Sequence, residues 1–449
     1  MDAQNYPLTS EVKEAVSSYN QGIAAFLEYR LSAMPFLKEA VSADPDFGMA
    51  HCMRGYLFMM FGTFSVLDAA RSALKAAQLQ TTRMNERERW HLEALRAWID
   101  ADLERASSVW EQILTDYPLD IVALRLHHFN SFWLGKTRAL RAAPASVVDA
   151  WSDALPGYGN VLGMLAFGYE ENGEYAIAER YGRRAVEINP EDLWAVHAVG
   201  HVFEMQGRDK EGIAWLDGDV NRWDDRNPFK RHIWWHLALF HIEAADYEEA
   251  LFIYDQCVQA SSSDFYLDIQ NAASLLARLE FVGLDVRDRW QALADHAEIH
   301  IDDHALVFTD IHCVISLAHE KRFDAARALI KSLRAYSDNE NRTISPIIRS
   351  VGIPLCEAML QFEKGDYDSA MTTFARLRHD NARVGASHAQ RDIFDLYLIE
   401  SAFRALRLSV AGSLLRERNR IRPGNKNTEF MIRRLKKLVG AGGLQAGKN

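Results

Sequence analysis

One stretch constrains the fold more than any other. Between Asn160 and Asp192, two runs with helical apolar spacing flank a short polar turn. The first run carries Leu162, Leu165, Ala166 and Tyr169, and the turn is Asn172-Gly173-Glu174-Tyr175. The second run carries Ala178, Tyr181 and Ala185, and Pro190 closes it. Each feature has a physical reason. Ala166 and Ala178 are small, so two antiparallel helices approach closely there. Tyr169 and Tyr175 fill the wedge around the turn. Gly173 takes the left-handed conformation on which helices end, and Pro190 cannot continue a helix. A hairpin of this size cannot bury its apolar faces alone, so further copies must stack on it.

Weaker copies recur along the chain. Trp90, Ala94, Ala106, Trp110 and Pro118 mark one. Trp234, Ala238, Tyr247, Ala250 and Tyr254 mark another, turning at Ala245-Asp246. Ala358, the turn Lys364-Gly365-Asp366-Tyr367, Ala370 and Phe374 mark a third. Ala33, Leu37, Ala40 and Pro45 read as a second helix, Gly55 and Gly62 belong to the next pair, and Phe323 with Ala326 to another. A period of about 34 residues with these small and aromatic positions is the tetratricopeptide pattern. The expected fold is therefore all-α, a right-handed superhelix of tetratricopeptide-like hairpins running as one solenoid over residues 1–449. Its best-formed repeats fall at 87–120, 159–192, 193–226, 231–264 and 351–384, with irregularities near 136–158, 217–230, 259–266, 281–303 and 335–350. Roughly seven to nine hairpins fit the length. Residues 416–449 read as a basic last helix and tail.

Composition removes several alternatives. With 11 Pro and 25 Gly in 449 residues, the chain has too few breakers for a large β protein. A formal net charge of -11 counts against nucleic acid as a partner, because phosphate binding needs clustered cations. The exception is Arg416–Lys437, with nine Lys/Arg against two Asp/Glu. It reads as a solvated helix whose cations suit its C-terminal end, or as an electrostatic docking patch. Cys52, Cys257, Cys313 and Cys356 lie far apart without a Cys-x-x-Cys, as reduced thiols do. The polar start MDAQNYPLTSEV is no secretory signal, and the apolar run YLFMMF at 56–61 is far below bilayer length. A cytoplasmic location without membrane partners is the expectation. The Gly-rich nucleotide loops and the Gly-x-Ser-x-Gly elbow are absent.

The segment Leu193–Met205 is the most informative for chemistry. As a helix it has an apolar stripe of Leu193, Val196, Val199, Gly200 and Phe203. A second stripe holds Trp194, His197, His201 and Glu204 at spacings of three and four, so these side chains adjoin. In a tetratricopeptide hairpin this second face lines the concave groove. Two imidazoles one turn apart with a carboxylate below could hold a divalent metal or pass a proton. They could equally be satisfied core histidines. The next first helix repeats the device in His232-Ile-Trp-Trp-His236, with Trp235 as a flat apolar wall or a packing residue. Other candidates are softer. His91 lies beside Trp90. His128 follows His127, so the two point to different faces. Asp310 could orient an imidazole, with His312 near it. Arg391, after Ser387-His388, could grip a ligand carboxylate, while Ser387 reads as the N-cap of the following helix.

These motifs together resemble the bacterial relatives of tetratricopeptide repeat protein 38. The matching stretches are RERWHLEAL (87–95), WEQILTDYPLDIVAL (110–124), YEENGEYAIAERYGRRAVEINPEDLWAVHAVGHVFEM (169–205), HIWWHLALFHIE (232–243), YEEALFIYD (247–255) and SHAQRDIF (387–394). The resemblance implies a tetratricopeptide-like protein without a well-established activity. It also implies shared polar positions at His91, His128, His197, His201, Glu204, His232, Trp235, His236, Asp268, Asp310, His312, Arg391 and Asp392. An acid often follows the His of the family where His128-Phe129-Asn130 stands here, which weakens any role for His128.

Two functions remain open at this point. One is a binding solenoid whose His-rich groove takes a small ligand, a peptide or a partner protein. The other is an enzyme in which His197, His201, Glu204, His232 and His236 perform acid–base chemistry on a small molecule, with or without a divalent metal. The enzyme requires those five side chains to converge on one pocket. The scaffold requires a groove wide enough for a peptide.

Overall fold

The computed structural model describes residues 1–259 and 263–446, the stretch 441–446 as backbone alone. Residues 260–262, inside the expected repeat 231–264 and its irregularity at 259–266, and residues 447–449 of the basic tail lie outside the described residues.

Among the described residues the chain is a series of helical hairpins, with one isolated antiparallel bridge between Arg30 and Arg226. Eleven hairpins run from Lys13–Leu27 with Ala33–Ala43 to His388–Arg404 with Leu408–Ile421, and the helix Lys426–Ala446 follows them. This is an all-α, tetratricopeptide-like solenoid. It holds more hairpins than the seven to nine inferred from repeat signals; those at 121–147, 266–299 and 388–421 carry no repeat signal of their own. Each of the eleven turns between paired helices places a residue in the left-handed region. Glycine does this at 62, 135, 173, 207, 283 and 365, but Tyr29, Ala101, Ala245, Lys321 and Leu406 do it elsewhere. Those five hairpins lack the glycine that announces a turn. An L-residue in this conformation costs about 1–2 kcal/mol, against which glycine's extra unfolded-state entropy costs about 0.5–1 kcal/mol. Exposed Lys321, at φ 58°, is therefore a position where glycine helps. Lys321→Gly should raise stability by about 0.5 kcal/mol in urea unfolding, and a loss of stability would contradict this account of the turn.

Side chains start the helices. Asp102, Asp120, Asp192 and Asp366 accept hydrogen bonds from backbone N–H groups of the first turns that follow them. Asn85 with Glu88 and Ser387 with Gln390 form reciprocal capping boxes. Ser387 is thus the N-cap of His388–Arg404.

The two helices of a hairpin have unequal burial. In the second helix Tyr175–Ile188 only Ala178, Gly182 and Ala185 are buried. In the first helix Leu193–Gln206 every residue from Leu193 to Glu204 is buried, and Ile121–Trp133, Phe229–Glu243 and Tyr266–Phe281 are covered almost as fully. A helix buried all round does not line an open groove. The superhelix closes on itself through loops distant in sequence. Leu31 N donates to Asp225 O at 3.0 Å, Asn227 N to Tyr29 O at 2.6 Å and Thr343 N to Ala101 O at 3.1 Å. Phe64 N donates to Asp303 at 2.8 Å, and His388 N to Glu171 at 2.9 Å. First helices therefore face one another across an interior closed by these loop contacts.

The C-terminal basic run is mixed: Arg416, Arg420, Lys426, Arg433, Lys436 and Lys437 are exposed, as in a solvated face, while three other cations are engaged. Arg418 and Arg422 are buried, and Arg418 forms a paired contact with both oxygens of Asp392 at 2.5 and 2.9 Å. Arg434 reaches Glu400 at 2.6 Å. These cations tie the last helices to the rest of the chain. No helix among the described residues is long and apolar enough to cross a membrane.

Candidate metal centre

Four successive first helices meet at one point: Tyr158–Glu170, Leu193–Gln206, Phe229–Glu243 and Tyr266–Phe281. The second is set by Asp192, which accepts from Trp194 N and Ala195 N. The third begins after Pro228. In each of these two, the i, i+4 spacing puts a pair of imidazoles on one face, and the packing turns the two faces toward each other. One donor atom from each of His197, His201, His232 and His236 falls within 4.8 Å of all the others, and all four side chains are buried.

The ring nitrogens are sorted. His201 Nε2 lies 2.9 Å from His197 Nε2, and His236 Nε2 lies 3.3 Å from His232 Nε2. On the far sides two of the Nδ1 atoms meet acceptors, while those of His197 and His201 have no hydrogen-bond partner among the described residues. His236 Nδ1 donates to Glu204 Oε2 at 2.8 Å, and His232 Nδ1 faces Asn271 Oδ1 at 2.8 Å. His201 Nδ1 stands 3.5 Å from Glu170 Oε2. With Glu204 ionised and Asn271 oriented by its Oδ1, His236 and His232 both carry their proton on Nδ1. Their Nε2 lone pairs then point at one another, a repulsion that a cation between them turns into attraction. Metal-bound imidazoles have this outward partnering of the second nitrogen. Metal–nitrogen bonds of about 2.0–2.1 Å put neighbouring donors of a four-coordinate ion about 3.3–3.4 Å apart, against 2.9 and 3.3 Å within the two pairs and at most 4.8 Å across the cluster.

Electrostatics favour neutral rings in three of the four. Burial, then the neighbouring imidazoles, push His197, His232 and His236 well below the usual histidine range. Burial also opposes charge on His201, but Glu170 beside it outweighs this and raises its pKa. Burial raises the carboxyls of Glu170 and Glu204. Both oxygens of Glu170 lack a hydrogen-bond partner in the protein. Two carboxylates flanking four imidazoles match the charge of one divalent cation.

A recess of about 130 Å³ adjoins the cluster, and His197 and His232 reach its wall. The rest of the wall is mainly aromatic, with Trp194, Phe229, Tyr29 and Trp133 among its side chains. Trp194 packs against His197 with ring centroids 4.9 Å apart, and Trp235 stacks on His232 at 5.1 Å. Arg125 is the cation of this wall.

The five residues expected to converge on one pocket, His197, His201, Glu204, His232 and His236, lie together, flanked by Trp194 and Trp235, but only His197 and His232 border the recess. The other sequence candidates lie elsewhere. His91 is enclosed, with Nε2 3.0 Å from Asp120 and its ring against Tyr56. His128 packs edge-on to Trp194 and Phe167, one aromatic layer from the cluster. Asp310 accepts from His304 Nδ1 at 2.8 Å, so it orients His304. His312 Nδ1 donates to the Phe308 carbonyl at 2.7 Å. Arg391 does not line the aromatic recess. It donates to the carbonyl of Ala386, lies 3.4 Å from Glu171, and borders a separate polar recess with Asp392 and Arg418. Of the remaining positions, Asp268 pairs with Arg231 at 2.8 Å and is pushed up to about 6 by burial.

Glu170, Asn271 and Arg125 were not singled out from the sequence. Glu170 and Asn271 support imidazoles from neighbouring helices, a relation that spacing does not encode. Arg125 left a trace, a lone cation in the apolar run Ile121–Leu126.

The comparisons agree with the repeat character. A tetratricopeptide-repeat family model matches residues 232–264, the hairpin that carries His232 and His236. Solved structures similar to the chain include the Cut9–Hcn1 hetero-tetramer of the APC/C, at 13% identity over 96% of this chain and 78% of that one, with a TM-score of 0.42. The human IFIT1 dimer with m7Gppp-AAAA is similar at 13% identity over 97% and 96%, with a TM-score of 0.38. The fold rests on the stacked hairpins themselves rather than on these likenesses. What the comparisons establish is that the chain is a helical-repeat protein containing a tetratricopeptide repeat.

Proposed function

We propose that this protein is a small-molecule-binding solenoid, of the relatives of tetratricopeptide repeat protein 38, whose four-histidine centre holds one divalent transition metal beside the recess. The carrying observation is the sorting of nitrogens: four Nε2 atoms turned inward, with Glu204, Asn271 and Glu170 behind three of the four rings. Imidazole donors suit the ions from iron to zinc. His197 and His232 belong both to the cluster and to the recess wall, so a ligand in the recess lies next to the ion, which would act on it as a Lewis acid only by accepting it as a fifth donor. The burial of the first helices all round disfavours a peptide or protein laid along a groove. The test is elemental analysis of protein purified without chelators, followed by Co²⁺ replacement. About one equivalent of metal per chain and intense visible bands from four-coordinate Co²⁺ are expected. Protein that neither carries a divalent metal nor takes up Co²⁺ or Zn²⁺ would refute the reading.

A second reading is a metal-free acid–base enzyme. The opposite pKa directions of His201 and His197, whose Nε2 atoms are 2.9 Å apart, favour it. It requires a protein whose turnover of a recess ligand survives complete removal of metal.

A further inference from the structure

The aromatic recess contains a charge that the protein does not balance. Arg125 is 4% exposed. Its guanidinium lies over the rings of Trp194 at 4.8 Å and Tyr29 at 5.4 Å. Nη2 donates to the Tyr29 hydroxyl, while Nη1 has no partner in the protein. Among the described residues no carboxylate comes within ion-pair distance of it. The nearest acid that feels its charge, Asp192, is already engaged: Oδ1 takes Trp194 N and Ala195 N, and Oδ2 takes Asn160 Nδ2 at 2.9 Å. A buried cation without a counter-charge is strongly unfavourable. The face-on aromatic contacts recover part of that cost, but they occupy the faces of the guanidinium and leave Nη1 buried without a hydrogen-bond partner.

We propose that Arg125 is the anion anchor of the recess and that the molecule bound there is a small apolar monocarboxylate. This rests on the reading of the recess as the ligand site, but not on the metal. One free Nη1 edge fits one carboxylate oxygen, and Tyr29, whose oxygen accepts from Arg125, has its own O–H left to donate to the second. The charge count selects a monoanion. Arg125 is the one Arg or Lys on the wall, so a phosphate dianion would bring an unmatched charge into apolar surroundings. The aromatic walls select an apolar body. The amide oxygens of Gln390 and Asn227 at the margin are bound to protein: Gln390 Oε1 accepts from Ser387 N, and Asn227 Oδ1 from Phe229 N. With the carboxylate at Arg125, the body of such a ligand lies along Trp194, the side chain that touches both the guanidinium and His197. The acid group is thus the anchor, and the opposite end faces the imidazoles.

The experiment compares 3-phenylpropionate with its neutral amide by calorimetry on the full chain, in metal-loaded and chelator-treated forms. A charge-assisted hydrogen bond supports at least a tenfold preference for the acid over the amide, in both forms. The preference should disappear in Arg125→Met and persist in part in Arg125→Lys. Equal affinity of acid and amide, binding of neither, or a preference unchanged in a folded Arg125→Met protein would each overturn the proposal. Should Arg125→Met not fold, the acid-to-amide ratio in the wild-type chain decides alone. An acid preference in protein that binds no metal would refute the metal reading and leave the anchor standing. Metal binding without acid preference would do the reverse.

Discussion

Replacing His197 and His201 together by alanine should empty the metal centre, from about one equivalent per chain to less than about 0.1. The reason is geometric. His232 and His236 are left as a single i, i+4 pair on one helix, and two imidazoles do not complete a four-coordinate shell. A change behind the ligands should act more mildly. Glu204 accepts from His236 Nδ1 at 2.8 Å, and loss of such a partner weakens a metal site about 10- to 100-fold. Glu204→Gln is therefore expected in that range, with the double variant far beyond it. Stability should follow occupancy. A ligand present at a thousand times its Kd adds about 4 kcal/mol to the folded state. Wild-type protein stripped of metal should thus unfold several degrees lower than loaded protein, and the double variant should show no response to added Zn²⁺. Metal retained at full stoichiometry by a folded double variant would end the assignment.

The second large effect lies away from the centre. Asp120 is buried, caps Ile121–Trp133 by accepting from Ala123 N at 2.8 Å, and contacts Arg87 at 2.8 Å and His91 at 3.0 Å. Removing one member of a buried charge network costs about 3–5 kcal/mol, because Arg87 would keep only Asp2, at 2.8 Å, as a charged partner. Asp120→Ala should lose that much in urea unfolding. Asp120→Asn should lose less, since it keeps the cap. A loss under about 1 kcal/mol would mean that the cap alone matters. The pH dependence has a definite sign. Burial works against the Asp120 charge, yet His91 and Arg87 overcome it and hold the carboxyl far below the usual range. A group depressed on folding stabilises fully above its unfolded pKa, about 3.9 for Asp, and loses that contribution as pH falls further. The gap between wild type and Asp120→Ala should therefore be widest above about pH 4 and close in stronger acid.

His91 shows how a sequence candidate becomes structural. Its motif, RERWHLEAL, places Arg87 and His91 one turn apart. That spacing would serve a site as well as it serves a buried brace, and the deciding partner, Asp120, belongs to the next hairpin. Arg391 is similar. Its position after a helix start is legible, but whether it meets a ligand or the carbonyl of Ala386 depends on how the chain enters that helix.

Local periodicity determined much by itself. Apolar spacing, small residues at helix contacts and the glycine turns mark the hairpins around Gly173 and Gly365. The i, i+4 rule alone puts His197 beside His201 and His232 beside His236, because a helix turn of 3.6 residues leaves no other arrangement. The hairpins at 121–147 and 266–299 carried no repeat signal although they turn on Gly135 and Gly283, because a glycine without small and aromatic residues at the repeat positions around it does not mark a turn. What tertiary structure decided was everything between helices: that the two histidine pairs face each other, that Glu170 and Asn271 stand behind them, that Arg125 has no counter-charge, and that the superhelix closes over its own interior. Those relations depend on rotation and register of packed helices, which many side chains set jointly and no single motif records.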